Sequence, residues 1–272
     1  MVYHTGVVEA IAALAGLGIG VLGTLIGAGG GFLIVPLLVV LEPAWTTDQI
    51  TACSLAVVTA NATTGALSYW RQGRVDPFTF PLYTLAAVPG SILGAFASAY
   101  ISRAFFDPIF GGVLVLVAVW LFRAPAGAEE GERTGWFERV LVDRSGRRYE
   151  WSFDPRLGFA GSVLVGFLSS VLGIGGGIIH VPLLATVLGF PAHVATATSH
   201  AVLAVTAGIA TVVHLVHGDF RATWPIVVAG AGGAVAGAPL GAMLAPRVRG
   251  AVILRVLALA LAFVGARLIF LR

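Results

Sequence analysis

Apolar residues come in long, nearly charge-free runs rather than in the alternation of a half-buried strand: residues 7–41, 48–70, 77–100, 104–122, 158–189, 193–217, 223–245 and 250–271. Six of them suit one membrane-crossing helix each, about 20 residues rising about 1.5 Å apiece through about 30 Å of hydrocarbon. The other two, 7–41 and 158–189, would each extend about 50 Å as continuous helices, more than tilt absorbs, so both are predicted to be interrupted. Between the fourth and fifth runs, residues 123–156 carry seven Arg and seven acidic residues. The predicted organisation is a first membrane unit at 1–122, an extramembrane connector at 123–157 and a second membrane unit at 158–272. Inside the connector, residues 140–143 and 148–151 flank a turn-like 144–147 and suit a small β-hairpin. A disordered loop is the competing reading, against which Trp136, Phe137, Tyr149 and Trp151 count.

The two membrane units read as copies. Gly27-Ala28-Gly29-Gly30-Gly31-Phe32-Leu33-Ile34-Val35-Pro36-Leu37-Leu38 aligns with Gly173-Ile174-Gly175-Gly176-Gly177-Ile178-Ile179-His180-Val181-Pro182-Leu183-Leu184, with eight identities in twelve positions. Thr51-Ala52-Cys53-Ser54 then falls over Thr196-Ala197-Thr198-Ser199, Gly73 over Gly218, and Gly90 and Gly94 over Gly237 and Gly241. The fold class predicted is an all-α, polytopic membrane protein of two internal repeats, about four helices each, with glycine-broken segments at matching positions.

Composition narrows the function. Of 272 residues 58% are hydrophobic and 11% charged, against about 25% charged in a soluble domain, so the lipid bilayer is the solvent. The sixteen basic residues are all Arg, scattered over loops with no stripe for nucleic acid. A single cysteine and no Cys/His cluster exclude a disulfide framework, a metal centre and, with no nucleotide loop, a cofactor. The N-terminal run reads as an uncleaved first membrane segment.

The duplicated clusters, Gly29, Gly30 and Gly31 with Gly175, Gly176 and Gly177, sit where the over-long runs must break. Irregular backbone at membrane depth survives only if it is buried in protein or lines a wet cavity. The helix starting after each break turns free N–H groups and a positive dipole end toward that space, which suits an anion. Paired breaks in two repeats point to a secondary transporter's binding site. Gly23 with Gly27, Gly90 with Gly94 and Gly237 with Gly241 read instead as helix-packing motifs. Candidate substrate ligands nearby are Thr51, Cys53, Ser54, Asn61, Thr196, Thr198 and Ser199, while Thr63, Thr64 and Thr206 suit bonds to their own helix carbonyls. His180 and His200, ionisable within predicted spans, are the proton-coupling candidates. No Asp or Glu occupies a span centre.

These residues resemble the sulfite exporter TauE/SafE family, also grouped with the toluene-sulfonate uptake permeases. The match is the duplicated glycine-cluster/proline motif, each copy followed by a helix bearing Thr-Ala-x-Ser, together with the four-plus-four layout and a variable charged connector. His180 departs from the family's usual aliphatic position. The resemblance implies a transporter of small sulfur-containing anions such as sulfite, sulfoacetate or other organosulfonates, in a cell inner membrane, with a homodimer left open. Neutral donors suit such an anion, because N–H and hydroxyl groups replace its hydration without a fixed countercharge. Two other readings stand at this point: an anion channel whose pore the broken segments line, and, weaker, a membrane enzyme. Arg distribution, twelve against four, puts the connector in the cytoplasm whether the breaks are re-entrant, giving inverted repeats, or cross, giving parallel ones.

Overall fold

The computed structural model describes residues 2–123, 132–220 and 223–270; connector residues 124–131 lie outside it. The first over-long run divides into α1 (Val2–Ile26) and α2 (Gly31–Leu41), followed by α3 (Thr47–Gln72), α4 (Thr79–Ser98) and α5 (Arg103–Arg123). The connector forms β1 (Phe137–Val142) and β2 (Arg148–Phe153). The second half comprises α6 (Pro155–Val171), α7 (Gly177–Pro182, continued by a π turn at Leu183–Val187), α8 (Ala192–His217), α9 (Trp224–Leu244) and α10 (Gly250–Phe270). Among the described residues seven helices are long and apolar enough to cross a membrane. The protein is a polytopic, mostly helical membrane protein.

Two sequence expectations change. Each half holds five helical elements rather than about four, because the break makes two helices of one run. The fold is also not all-α: β1 and β2 pair antiparallel from Phe137 opposite Phe153 to Val142 opposite Arg148, a longer hairpin than the turn signal alone outlined.

The broken segments turn back. Gly30 lies on Ile19 of α1; Ile34, Leu37 and Leu38 of α2 line one cavity with Ala15 and Ile19 of α1, and Leu41 and Glu42 line another with Ile11. In the second half, His180 of α7 meets Ser162 of α6, and Gly161 lies against Leu183. At 11 residues, α2 rises only about 16 Å, half of a membrane. By contrast, α3 and α8 have 26 residues each, enough to span. These two run antiparallel, Gly65 lying on His200 and Thr59 pairing with Thr211.

Glycine sets the closest helix contacts. Gly16 and Gly20 of α1 lie against the backbone of Gly230 and Ala234 in α9, which returns Gly237 and Gly241 to α1. Gly90 and Gly94 of α4 meet α6 backbone at Val163 and Phe167, and Gly166 returns the contact at Ala87. With no apolar driving force in lipid, such contacts gain from packing and weak polar attraction across a short gap. Gly23 and Gly27 behave differently from the packing motif read in them. Gly23 faces the backbone of Gly29 and Gly30, and its carbonyl accepts from the N–H groups of Ala28 and Gly29 at 2.9 and 3.1 Å. That glycine shapes the break.

The hairpin ties the halves together at one end. Arg139 of β1 reaches Asp76, ahead of α4, at 2.6 Å, and Arg74 reaches Asp143 at 3.2 Å. From the other half, Phe190, in the turn between α7 and α8, packs its ring on Trp151 and Phe153 of β2.

Candidate substrate site

Both breaks are built from the same backbone conformation. Gly27, Gly29 and Gly30 have φ of 79°, 72° and 87°, and Gly173, Gly175 and Gly176 have 68°, 76° and 88°. A side chain is disfavoured at such angles, and Gly30 and Gly176 hold them as the N-caps of α2 and α7. The bonds across each turn use the N–H groups of Gly27, Ala28 and Gly29, or of Gly173, Ile174 and Gly175. The first N–H groups of α2 and α7, at Gly31 and Gly177, have no partner inside their helices and point back along the axis.

The breaks meet between the middles of α3 and α8. A carbon added at Gly175 would lie 2.5 Å from Val58 of α3 and 2.6 Å from Leu203 of α8, and Gly29 touches the same two side chains. Gly31 lies on the backbone of Ile174 and Gly177 on that of Gly27 and Ala28, where a Cβ would come within 2.7 and 2.5 Å. Each break is seated on the long helix of the opposite half, Gly27 on Thr196 and Gly173 on Thr51. Ser54 completes the exchange by donating to the Gly173 carbonyl at 2.6 Å.

Two polar clusters flank this crossing. In one, Asn61 donates through Nδ2 to the Gly29 carbonyl at 2.9 Å and accepts from Thr24 at 2.9 Å, while the Thr24 hydroxyl lies 3.4 Å from His200 Nε2. Tyr69 donates to the Thr24 carbonyl at 2.7 Å and turns its ring edge to His200. The other cluster lines a cavity beside the second break, bounded by Ser162, Ser169, Gly176, His180, Ser199 and Thr206. His180 Nε2 lies 3.2 Å from the Ser162 hydroxyl. The cavity holds about 10 Å³, space for about one water.

The expected site residues therefore separate. Both glycine clusters, Ser54, Asn61, Thr196, Ser199, His180 and His200 come together at or beside the crossing. Thr51 touches it, yet its hydroxyl is used on the Thr47 and Asp48 carbonyls. Thr198 points away and accepts the Asp76 N–H at 3.0 Å near the connector. Cys53 faces a separate apolar cavity with Ile19, Ile34, Leu38 and Val57, because successive residues on a helix are turned about 100° apart and its neighbour Ser54 takes the side toward the break. Buried Thr196 and Ser199 hydroxyls have no hydrogen-bond partner. Thr24, Tyr69, Tyr83, Ser162 and Ser169 escaped the sequence reading. The repeat alignment held a signal for the two serines, since they stand where the first copy has Gly16 and Gly23. Among the described residues no cluster of His, Cys, Asp and Glu could hold a metal ion.

A family model for the sulfite exporter TauE/SafE matches residues 12–268. The chain belongs to the sulfite exporter TauE/SafE family. It is a membrane transporter of that family and not an enzyme. It is 29% identical over 266 residues to the probable membrane transporter protein YunE of Bacillus subtilis, covering 96% of this chain and 97% of the relative. A probable membrane transporter protein of Xylella fastidiosa is 27% identical over 82% of the chain and 79% of its own. For one of Methanocaldococcus jannaschii the figures are 25%, 71% and 67%. No solved structure matches.

Proposed function

We propose that this TauE/SafE transporter is a secondary carrier for a small sulfur-containing anion, sulfite, sulfoacetate or another organosulfonate, held at the membrane midplane and moved by alternating access. The observation that carries this reading is the meeting of the two breaks, backbone against backbone, between the middles of α3 and α8. Helices starting there supply N–H groups and positive dipole ends to an anion, and buried neutral hydroxyls supply the rest.

The two halves, 1–122 and 158–272, are read as inverted repeats. The matching helices α3 and α8 run antiparallel, α1 packs on α9 as α6 does on α4, and each broken segment returns to the face it came from. This arrangement suits a site near the midplane. The connector is cytoplasmic on the Arg count. The space beside the second break admits about one water, so a sulfur oxyanion enters only when the halves separate. That favours a carrier over an open channel.

A titration calorimetry screen of purified protein with sulfite, sulfate, thiosulfate, sulfoacetate, taurine and acetate tests the substrate class. Saturable binding of a sulfite or sulfonate, with acetate weaker, is the expected result. Binding of none of the sulfur anions would contradict it.

A further inference from the structure

The crossing is nearly symmetric in backbone but not in chemistry. The first half has its own small cavity, bounded by Gly16, Ile19, Ile34, Cys53, Val57 and Gly230. Four matched positions decide the difference. Ser162, Ser169 and His180 in the second copy replace Gly16, Gly23 and Ile34, and Tyr83, packed against His180, matches Gly230. The serine present in both copies is used in one only: Ser54 is bonded to the Gly173 carbonyl, whereas the fully buried Ser199 has no partner and lines the second cavity. The Tyr83 hydroxyl, lying against Gly158, is buried and unpartnered too.

Polar groups are costly in a buried, lipid-surrounded interior unless something pairs with them. The first break has polar neighbours too, Asn61, Thr24, His200 and an unpartnered Thr196 hydroxyl, but only at the second do Ser162, Ser169, His180 and the unmet Ser199 hydroxyl line a shared cavity, which suits a ligand on that side. Resting on the carrier reading above, we propose that the transported anion occupies a single off-axis site in the second half's cavity, with Ser199 and His180 as its selecting donors. Ser162 gives its proton to the Gly158 carbonyl at 2.7 Å, so at its 3.2 Å contact it accepts from His180 Nε2–H. An anion oxygen takes over that N–H when the cavity widens. Ser199 donates to a second oxygen, and the Gly176 and Gly177 N–H groups face a third. The ligand is therefore an oxyanion with several acceptor oxygens, one per chain. Because α6 and α7 enter from the connector side, the site lies in the connector-side half of the membrane.

Titration calorimetry with sulfite and sulfoacetate reads this directly, on full-length protein whose elution and thermal unfolding in detergent match the wild type. Expected are one anion per chain, affinity lower by about tenfold or more in His180→Ile and in Ser199→Ala, and little change in His180→Asn, which keeps an N–H donor. Ile34→Val, in the first cavity, leaves binding unchanged. Two anions per chain, or wild-type affinity in both His180→Ile and Ser199→Ala, would overturn the one-sided site. If Gly176→Val loses binding while those two retain it, the carrier reading stands and the off-axis site falls. If the wild type binds no sulfur anion, both fall together.

Discussion

Gly177 and Gly31 are the residues on which the crossing depends most directly, because a side chain at either would press on backbone rather than on a movable side chain. Gly177→Ala should separate the two breaks and lower the maximal rate of uptake by at least tenfold, with the protein still inserted. Gly18, by contrast, has open space around it, and Gly18→Ala should keep full transport and gain up to about 1 kcal/mol in helix stability. Equal uptake by the two variants, measured with radiolabelled substrate in vesicles, would remove the crossing from the mechanism. Cys53 gives the complementary test. Facing apolar surroundings away from the crossing, it should react slowly with a membrane-permeable maleimide at a rate that saturating sulfite leaves unchanged, and Cys53→Ala should transport normally. Protection by substrate would return Cys53 to the site. The residue-level misassignments share one cause. Sequence neighbours such as Thr198 and Ser199 look equivalent as polar letters, but a helix sends them to different neighbours, one to Asp76 and one to the cavity.

At the scale of elements, the connector hairpin and the broken helices set what moves. The Asp76 carboxylate is fully buried, accepts from Thr79 and pairs with Arg139. Arg139→Ala leaves it without a cation, and we expect a loss of about 1.5–3 kcal/mol, read as a lower thermal unfolding midpoint in detergent. Its neighbour Asp143 adds a pH dependence. Burial pushes that carboxyl up, but the Ser145 hydroxyl, the Arg147 and Ser145 N–H groups and the Arg74 guanidinium outweigh it and hold it below its ordinary range. A depressed carboxyl stabilises fully above its unfolded value of about 4 and loses that contribution as pH falls through the folded one. Unfolding midpoints of wild type and Asp143→Asn should therefore differ by a constant amount from pH 8 to 5 and converge in stronger acid; a difference that vanishes already near pH 6 would contradict the assignment. The breaks themselves were legible in the sequence, since over-long apolar runs with consecutive glycines cannot continue as helix. The direction taken after each break was not, because hydropathy is the same for a crossing and a returning segment; contacts such as Gly30 on Ile19 and His180 with Ser162 carry that reading.

For the whole molecule, the proposed inverted arrangement counts α1, the seventh helix long enough to cross, with its returning segment and leaves three full spans per half, which puts the connector and the turn between α4 and α5 on opposite membrane faces. With Cys53→Ala as background, Ser145→Cys at the hairpin tip and Ser102→Cys before α5, both exposed, report this arrangement. An impermeant maleimide added to intact cells should label Ser102→Cys alone; labelling of Ser145→Cys under the same conditions would refute the cytoplasmic connector. The glycine clusters marked both breaks in the sequence, and Gly90 and Gly237 mark close helix contacts in the structure. The unlike chemistry of the two cavities was not legible in the sequence, because Tyr83 and Ser162 come from helices that only packing brings beside His180. The claim on which all else rests is that the crossing carries a sulfur oxyanion through a closed, alternating site. Counterflow of radiolabelled sulfite in proteoliposomes tests it most directly. Uptake should saturate with concentration and be accelerated by unlabelled sulfite inside; flux that rises linearly and ignores internal sulfite, or no flux at all, would contradict a carrier of this kind.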